Sequence, residues 1–225
     1  GLFGKLDQRV AHLYEGLNRA DSAAVDPHKW LAAPLGNGVA FVRDKNILGR
    51  AFTLEPAAYL EGSESQNGIL QSPFGEFGEK YFDFNLDQSA PSRGVAVWAI
   101  LKEIGAQGMA DRVVRHNSFA RLLADIVRNH PKLDLVTEPV LSICCFRFND
   151  GIHSGKELNG INAEIAARLR AEGQFVPSTT VVKGIYAIRP CYINPRTREE
   201  DVTGLAKRVA ELGTELGTEL GKEQT

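Results

Sequence analysis

The spacing of apolar residues along the chain predicts six helices. Leu6, Val10, Leu13 and Leu17 recur every three or four positions, the spacing of one face of an amphipathic helix. A later helix starts near Ser89 or Pro91 and stops at Gly105, in agreement with common start and stop signals. The six predicted helices cover residues 2–19, 44–52, 89–105, 109–129, 156–172 and 199 to the end.

Short apolar runs between turn residues predict six strands. The first two are joined by a turn cluster at residues 34–38, so we expect a hairpin-like unit. The last two are expected to pair around Lys183 and Gly184. The predicted strands cover residues 22–25, 39–42, 133–136, 141–148, 175–182 and 185–193.

Two stretches fit neither pattern well. Residues 53–60 predict an extended segment, and residues 61–89 are long and poorly periodic, which is typical of a lid or binding loop. Their aromatic residues argue against simple disorder. Near the end, a four-residue repeat would place Leu212, Leu216 and Leu220 on one helix face, but its glycines lower helix stability. We interpret this repeat as an expanded tail without a function of its own.

Composition narrows the class of protein. The 225 residues suffice for one large domain or two small ones, and the net charge of -2 gives no basic surplus for nucleic acid. No apolar run is long enough to span a membrane. The chain lacks an initiator methionine, and its only methionine is Met109, so we expect a piece of a longer protein.

The cysteines and histidines show no metal-ligand spacing. Without a CxxC pair, the three cysteines are predicted to be buried free thiols in a reducing cytoplasm. Four scattered histidines are predicted to be solvated or to cap helices. These residues are Cys144, Cys145, Cys191, His12, His116, His130 and His153.

The candidate chemistry lies in the segment Asp26-Pro27-His28-Lys29-Trp30. Pro27 fixes its own φ and pushes Asp26 toward an extended conformation, so Lys29 is presented from a stiff corner. A lysine amine attacks an aldehyde only when desolvation or neighbouring cations activate it. The flanking His28 and Trp30 rings are expected to supply both effects. The alternative is an ordinary solvated lysine after a turn.

This segment resembles the cofactor-lysine segment of the group II pyridoxal-phosphate-dependent decarboxylases, a family that includes the aromatic-L-amino-acid and glutamate decarboxylases. The family's Asn/Asp-Pro-His-Lys-Trp segment carries the Schiff-base lysine. The resemblance extends over essentially the whole chain and corresponds to the second half of a full-length decarboxylase. It implies that Lys29 forms the Schiff base with pyridoxal 5'-phosphate, that His28 contacts this cofactor, and that Asp26 stands where relatives carry a phosphate-binding asparagine.

The resemblance also implies a second catalytic residue. Pro56-Ala57-Ala58-Tyr59-Leu60 is similar to the family's Pro-x-Tyr-Leu loop segment, with one extra residue before the tyrosine. Tyr59 would protonate the carbanion after carbon dioxide leaves, while the loop 61–89 closes out water. Without the resemblance, Tyr59 would be interpreted as a packed aromatic residue.

Further positions carry weaker implications. Arg93 matches a family arginine and would contact a phosphate or a loop, or form only an ion pair. Arg189 matches another family arginine, which would hold a substrate carboxylate. The turn at Gly36, Asn37 and Gly38 would either approach the cofactor phosphate of a neighbouring subunit or be a plain turn.

The resemblance implies an α/β fold of the fold-type-I PLP-dependent transferase class. Residues 1–95 would be the end of the large cofactor-binding domain, and residues 96–225 a small α+β C-terminal domain. The implied protein is a cytoplasmic homodimeric decarboxylase that acts on an aromatic L-amino acid. The alternatives are another fold-type-I reaction, such as transamination or carbon–sulfur lysis, and a non-catalytic half-enzyme. The latter is credible because the family's ring-binding aspartate and histidine precede the lysine, upstream of Gly1.

Overall fold

The computed structural model describes residues 1–52, 81–87 and 89–223. In this part of the chain the α-helices are α1 (Asn46–Phe52), α2 (Arg93–Arg128), α3 (Gly155–Glu172) and α4 (Glu199–Glu223). The strands are β1 (Ser22–Val25), β2 (Val39–Val42), β3 (Leu133–Val140), β4 (Ile143–Phe148), β5 (Ser178–Val182) and β6 (Ile185–Arg189). Short 3-10 helices occupy Leu2–Leu6, Gln8–Tyr14, Leu17–Arg19 and Tyr81–Phe84.

Strands β1 and β2 form an antiparallel pair in which Ser22 lies opposite Val42 and Val25 opposite Val39. The predicted hairpin-like unit is thus confirmed. Its connection, residues 26–38, holds the Asp26–Trp30 segment, so the sheet pins both ends of the segment that carries Lys29.

The other four strands form an antiparallel sheet in the order β3-β4-β6-β5. Helices α2, α3 and α4 pack against this sheet, and α4 also packs against both α2 and α3. They bury one core, which includes Leu123, Phe146, Ile165, Ile188 and Val209. The combination of helix and sheet agrees with the predicted α/β class.

Short sequence signals determine where α3 begins and ends and where β5 turns into β6. Ser154 and Glu157 form a capping box at the start of α3, and Gly173 ends that helix at a φ of 74°. Lys183 and Gly184 both have positive φ, which the tight turn between β5 and β6 requires. The predicted helix at 156–172 and the predicted strand pair are therefore confirmed.

Helix α2 packs both against the four-stranded sheet and against the turn that connects β1 to β2. Its backbone leaves the helical region at Gly105, where φ is 67° and ψ is 175°, so the break predicted there is confirmed although the helix resumes at once. Beyond the break, Met109 and Val113 pack with Trp30 and Leu31 in a second buried cluster. The side chains of α2 thus contact the Lys29 segment. The domain boundary between residues 95 and 96 stays a prediction.

The predicted amphipathic helix at residues 2–19 is wrong. Three short 3-10 helices replace it, because the Asp7 side chain accepts a hydrogen bond from the Arg9 backbone N–H and starts a new turn there. Gly16, at a φ of 85°, interrupts the chain again. Val10 is buried, but Leu13 is 50% exposed.

The interpretation of the C-terminal repeat as an unimportant tail is also wrong. The repeat belongs to α4, and Leu212 and Leu216 are buried in the main core. Gly213 lies directly against the ring of Phe148, where an added Cβ would overlap the aromatic carbons. Glycine is therefore needed here for close packing, which outweighs its low helix propensity.

We expect Gly213→Ala to destabilise the protein by roughly 1–3 kcal/mol, because the new methyl must displace the Phe148 ring from a packed core. The matched control is Gly160→Ala in α3, where the added Cβ meets no atom within 4 Å. That change should stabilise the helix by about 1 kcal/mol. Urea unfolding curves measure both effects, and equal stability of the two variants would contradict the packing role of Gly213.

Candidate functional site

Lys29 lies in a turn that follows β1 and is fixed by backbone hydrogen bonds. The Lys29 N–H donates to the Asp26 carbonyl at 3.1 Å, and the Ala32 N–H donates to the Lys29 carbonyl at 3.1 Å. The Ala33 N–H closes the turn by donating to the Pro27 carbonyl at 3.1 Å. This geometry agrees with the stiff corner expected from Pro27.

The Lys29 amine is open to solvent. Its side chain is 58% exposed, and Nζ lies 2.6 Å from Oδ2 of Asp26. The Lys29 amine lowers the pKa of the Asp26 carboxyl, mainly through this hydrogen bond. The expected desolvation of Lys29 by its flanking rings is therefore wrong: Trp30 points into the core, and the nearest charged group is an anion rather than a cation.

His28 and Asn37 tie the Lys29 turn to the next one. Nδ1 of His28 lies 3.0 Å from the Asn37 carbonyl oxygen, so Nδ1 carries the proton and donates. The Asn37 amide nitrogen donates to the Pro34 carbonyl at 2.7 Å. Gly36 has a φ of 86°, which glycine adopts without strain. These contacts account for Gly36 and Asn37 as turn residues.

The thiol of Cys191 is acted on by the charges of both Lys29 and Arg189. Partial burial of the thiol raises its pKa, while the positive charges of Arg189, Lys29 and the N-terminal amine act in the opposite direction. The residue itself is exposed, so the prediction that all three cysteines are buried is wrong for Cys191 and confirmed for Cys144 and Cys145.

Two other predicted site residues have different positions. Arg93 is the first residue of α2, and its Nη1 lies 3.5 Å from Oδ2 of Asp87, so its geometry fits the ion-pair alternative. Tyr59 lies outside the described residues, as do the predicted extended segment 53–60 and most of the predicted loop 61–89.

The Trp30 side chain is anchored by a buried histidine. Trp30 is 4% exposed, and its Nε1–H donates to Nδ1 of His116 at 2.9 Å. His116 itself is fully buried in the middle of α2, so its predicted solvated or capping role is wrong. The sequence did hold a signal, since Met109, Val113, His116 and Ala120 follow one another at the spacing of the buried helix face.

Burial, together with the charges of Arg115 and Arg112, lowers the pKa of His116 from 6.5 to about 4, although the Asn194 backbone acts in the opposite direction. In the unfolded chain this histidine binds its proton near pH 6.5, so stability should be intact above that pH and fall as the pH drops toward 4. The full loss is about 3 kcal/mol. Urea unfolding from pH 7 to pH 4 measures it, and His116→Asn should flatten this part of the profile.

The rest of the described chain offers no competing centre. Within residues 1–52, 81–87 and 89–223, no group of three or more metal-ligating side chains comes together. Burial raises the pKa of the Cys144 thiol to about 12, so it is an inert core group. None of the described helices has the length and apolar character needed to cross a membrane.

Similarity to known proteins agrees with the sequence resemblance. An aromatic-L-amino-acid decarboxylase of Bacillus atrophaeus is 28% identical over 208 residues, which cover 92% of this chain and 42% of the relative. An aromatic-L-amino-acid decarboxylase of Catharanthus roseus is 27% identical over 194 residues, which cover 85% of this chain and 36% of that relative. The chain therefore spans about two fifths of the length of these curated relatives.

Solved structures share the fold. Catharanthus roseus tryptophan decarboxylase, solved in complex with L-tryptophan, matches with a TM-score of 0.77 at 23% identity. The match covers 95% of this chain and 43% of the Catharanthus roseus chain. Oryza sativa TDC, solved with PLP and tryptamine, has a TM-score of 0.81 at 21% identity, with 95% and 43% covered. The family model described as the pyridoxal-dependent decarboxylase conserved domain matches residues 6–149, more than half of the chain. The chain belongs to the pyridoxal-dependent decarboxylase family.

Proposed function

We propose that this protein is part of a pyridoxal-phosphate-dependent decarboxylase that acts on an aromatic L-amino acid. Family membership and the curated aromatic-amino-acid relatives support this assignment. The single observation that carries it is the Lys29 amine, held by a hydrogen-bonded turn and open to solvent. Such an amine is accessible to the aldehyde of a cofactor.

The residues present fit part of a cofactor site. Lys29 supplies the amine for the aldehyde carbon, and the charges of Arg189 and Lys29 both act on the Cys191 thiol, so Arg189 would add positive charge suited to a phosphate or a substrate carboxylate. His28 stands beside the lysine with its ring fixed by the Asn37 carbonyl. The bound cofactor supplies an electron sink that makes the loss of carbon dioxide possible.

We propose for Asp26 a different task from the one that the resemblance implied. A carboxylate repels phosphate, and in the structure it holds the Lys29 amine at 2.6 Å. In this proposal Asp26 orients the Lys29 amine until the cofactor arrives. The ion pair must open and the Lys29 amine must release a proton to water before it can attack the aldehyde. Both partners are about half exposed, so opening the pair costs little free energy.

Tyr59 completes the proposal as the proton donor. Its phenol would deliver a proton to the substrate carbon after decarboxylation, and the segment 61–89 would exclude water from that step. Support comes from the family resemblance of the segment Pro56–Leu60, since Tyr59 lies outside the described residues.

The product distribution tests the reaction type. The intact protein that contains this chain is incubated with pyridoxal phosphate and L-tryptophan, L-tyrosine or L-glutamate, and carbon dioxide and keto acid are measured in parallel. Carbon dioxide without keto acid, and faster with the aromatic substrates, is the expected result. Keto acid without carbon dioxide would indicate transamination, and no product with any substrate would indicate the non-catalytic half-enzyme.

We extend the proposal to a homodimer in the cytoplasm. Three free cysteines fit a reducing compartment. The exposed Leu35 and Trp98, at 87% and 62% exposure, are the kind of side chain that a further protein surface covers. Sedimentation velocity measures the assembly, and a monomer at micromolar concentration would contradict the dimer.

A further inference from the structure

Two side chains of α2 form hydrogen bonds with the residues that follow Lys29 in its turn. His116 accepts the Trp30 indole N–H at 2.9 Å, and Nη1 of Arg112 donates to the Leu31 carbonyl at 3.1 Å. These contacts join residues separated by 86 and 81 positions in the chain. The residues immediately after Lys29 are therefore bound to a long helix and not only to their own turn.

The two neighbours Lys29 and Trp30 point in opposite directions. Trp30 is 4% exposed and packs with Leu31, Met109 and Val113, whereas the Lys29 side chain is 58% exposed. Because consecutive residues of a tight turn share a rigid backbone, the anchor at Trp30 determines the direction in which the Lys29 side chain leaves the surface. An unanchored indole would leave that direction free.

His116 is suited to act as the acceptor because it stays neutral. A protonated imidazole carries N–H groups on both nitrogens and could no longer accept the indole proton. The charges that act on His116 are those of Arg112 and Arg115, on its own helix, and both oppose protonation. The turn contributes the uncharged Trp30 indole, and the segment after β6 contributes the Asn194 backbone.

From this geometry we infer that His116 is a positioning residue for Lys29, and that it acts through the Trp30 indole. The inference rests on the proposed function only for what Lys29 does once it is positioned. The hydrogen bond itself belongs to the protein with or without cofactor, so it is open to measurement in both states.

The experiment compares three full-length chains: the unchanged protein, His116→Leu and His116→Asn. Leucine removes the acceptor and leaves the indole N–H buried without a hydrogen bond. Asparagine presents an uncharged acceptor oxygen near the position of Nδ1 and serves as the conservative rescue. Amide hydrogen exchange is followed at Lys29, Ala32 and Ala33, whose N–H groups close the turn, with amides of α4 as the internal reference.

His116→Leu should speed exchange in the turn on the order of tenfold, because an unsatisfied buried donor destabilises the closed state. Exchange in α4 should not change, and His116→Asn should restore most of the protection. Equal turn exchange in the unchanged and leucine proteins would overturn the inference, as would equal loosening of α4, which indicates a general structural role.

A second variant covers the case in which His116→Leu does not fold. Trp30→Phe keeps the aromatic bulk of the buried cluster and removes only the donor. It should loosen the turn to a similar degree, and adding His116→Asn to it should change nothing further. An additional effect in the double variant would show that His116 does not act through Trp30.

Covalent labelling separates this inference from the proposed function. Each protein is mixed with pyridoxal phosphate and reduced with borohydride, and the label on Lys29 is mapped and its rate measured. The rate should fall several-fold in His116→Leu and recover in His116→Asn. An unlabelled Lys29 in the unchanged protein would refute the proposed function, whereas labelled Lys29 at equal rates in all three proteins would refute the positioning role alone.

Discussion

Replacing Lys29 by arginine should abolish the borohydride-stable attachment of pyridoxal phosphate to the site and with it all decarboxylation. A guanidinium stays protonated at neutral pH and cannot attack an aldehyde, whereas it keeps the positive charge that pairs with Asp26. The turn should therefore remain folded, and the loss should be chemical. Mass mapping of the reduced adduct measures the effect, which we expect to be complete within detection.

The matched control is Lys102→Arg, a change at an exposed position on α2. Lysines on any protein surface react slowly with aldehydes, so the informative quantity is the difference between these two variants. If Lys29→Arg retains the same amount and rate of label as Lys102→Arg, then Lys29 is an ordinary solvated lysine, and the assignment of the site is wrong.

Local chemistry was enough to predict the frame that holds Lys29. The alternation of short apolar runs with the Pro34-Leu35-Gly36-Asn37-Gly38 turn predicted β1 and β2, and Pro27 predicted the stiff corner between them. In the same way, the glycine at position 173 and the Lys183-Gly184 pair predicted where α3 and β5 end. Each of these features depends on the conformational limits of a few adjacent residues.

Contacts between distant residues escaped prediction. The Trp30–His116 hydrogen bond joins residues 86 positions apart, and nothing in either local sequence specifies the other. The order β3-β4-β6-β5 likewise depends on pairing between strands that are far apart in the chain. Low helix propensity at Gly213 led to a wrong interpretation because its close packing against Phe148 becomes visible only in three dimensions.

The difference between local features and contacts of distant residues also explains how much of the site the sequence predicted. The resemblance implies that Lys29 is the cofactor lysine, but a linear pattern says nothing about which side of the turn faces solvent. The structure exposes Lys29 beside Asp26 and buries Trp30, and this arrangement is the basis for proposing Asp26 as the partner of the amine. The sequence pattern named the candidate residue, and packing determined its surroundings.

The second large effect is expected for Tyr59→Phe, which removes only the phenol oxygen. If Tyr59 delivers the proton that completes decarboxylation, the rate of amine formation should fall by about 10²–10⁴-fold, the usual contribution of a positioned acid. Labelling of Lys29 by pyridoxal phosphate should be unaffected, because the phenol takes no part in that attachment. The two assays together separate a proton-transfer defect from loss of the site.

Tyr186→Phe is the matched control, since it removes the same atom from a partly buried tyrosine in β6. It should leave both amine formation and labelling near their original values. If Tyr59→Phe behaves like Tyr186→Phe, Tyr59 is a packed aromatic residue, and the proton must come from another group or from water. The extra residue between Pro56 and Tyr59 makes this comparison decisive, because it shifts the tyrosine by one position along the segment that the family resemblance aligns.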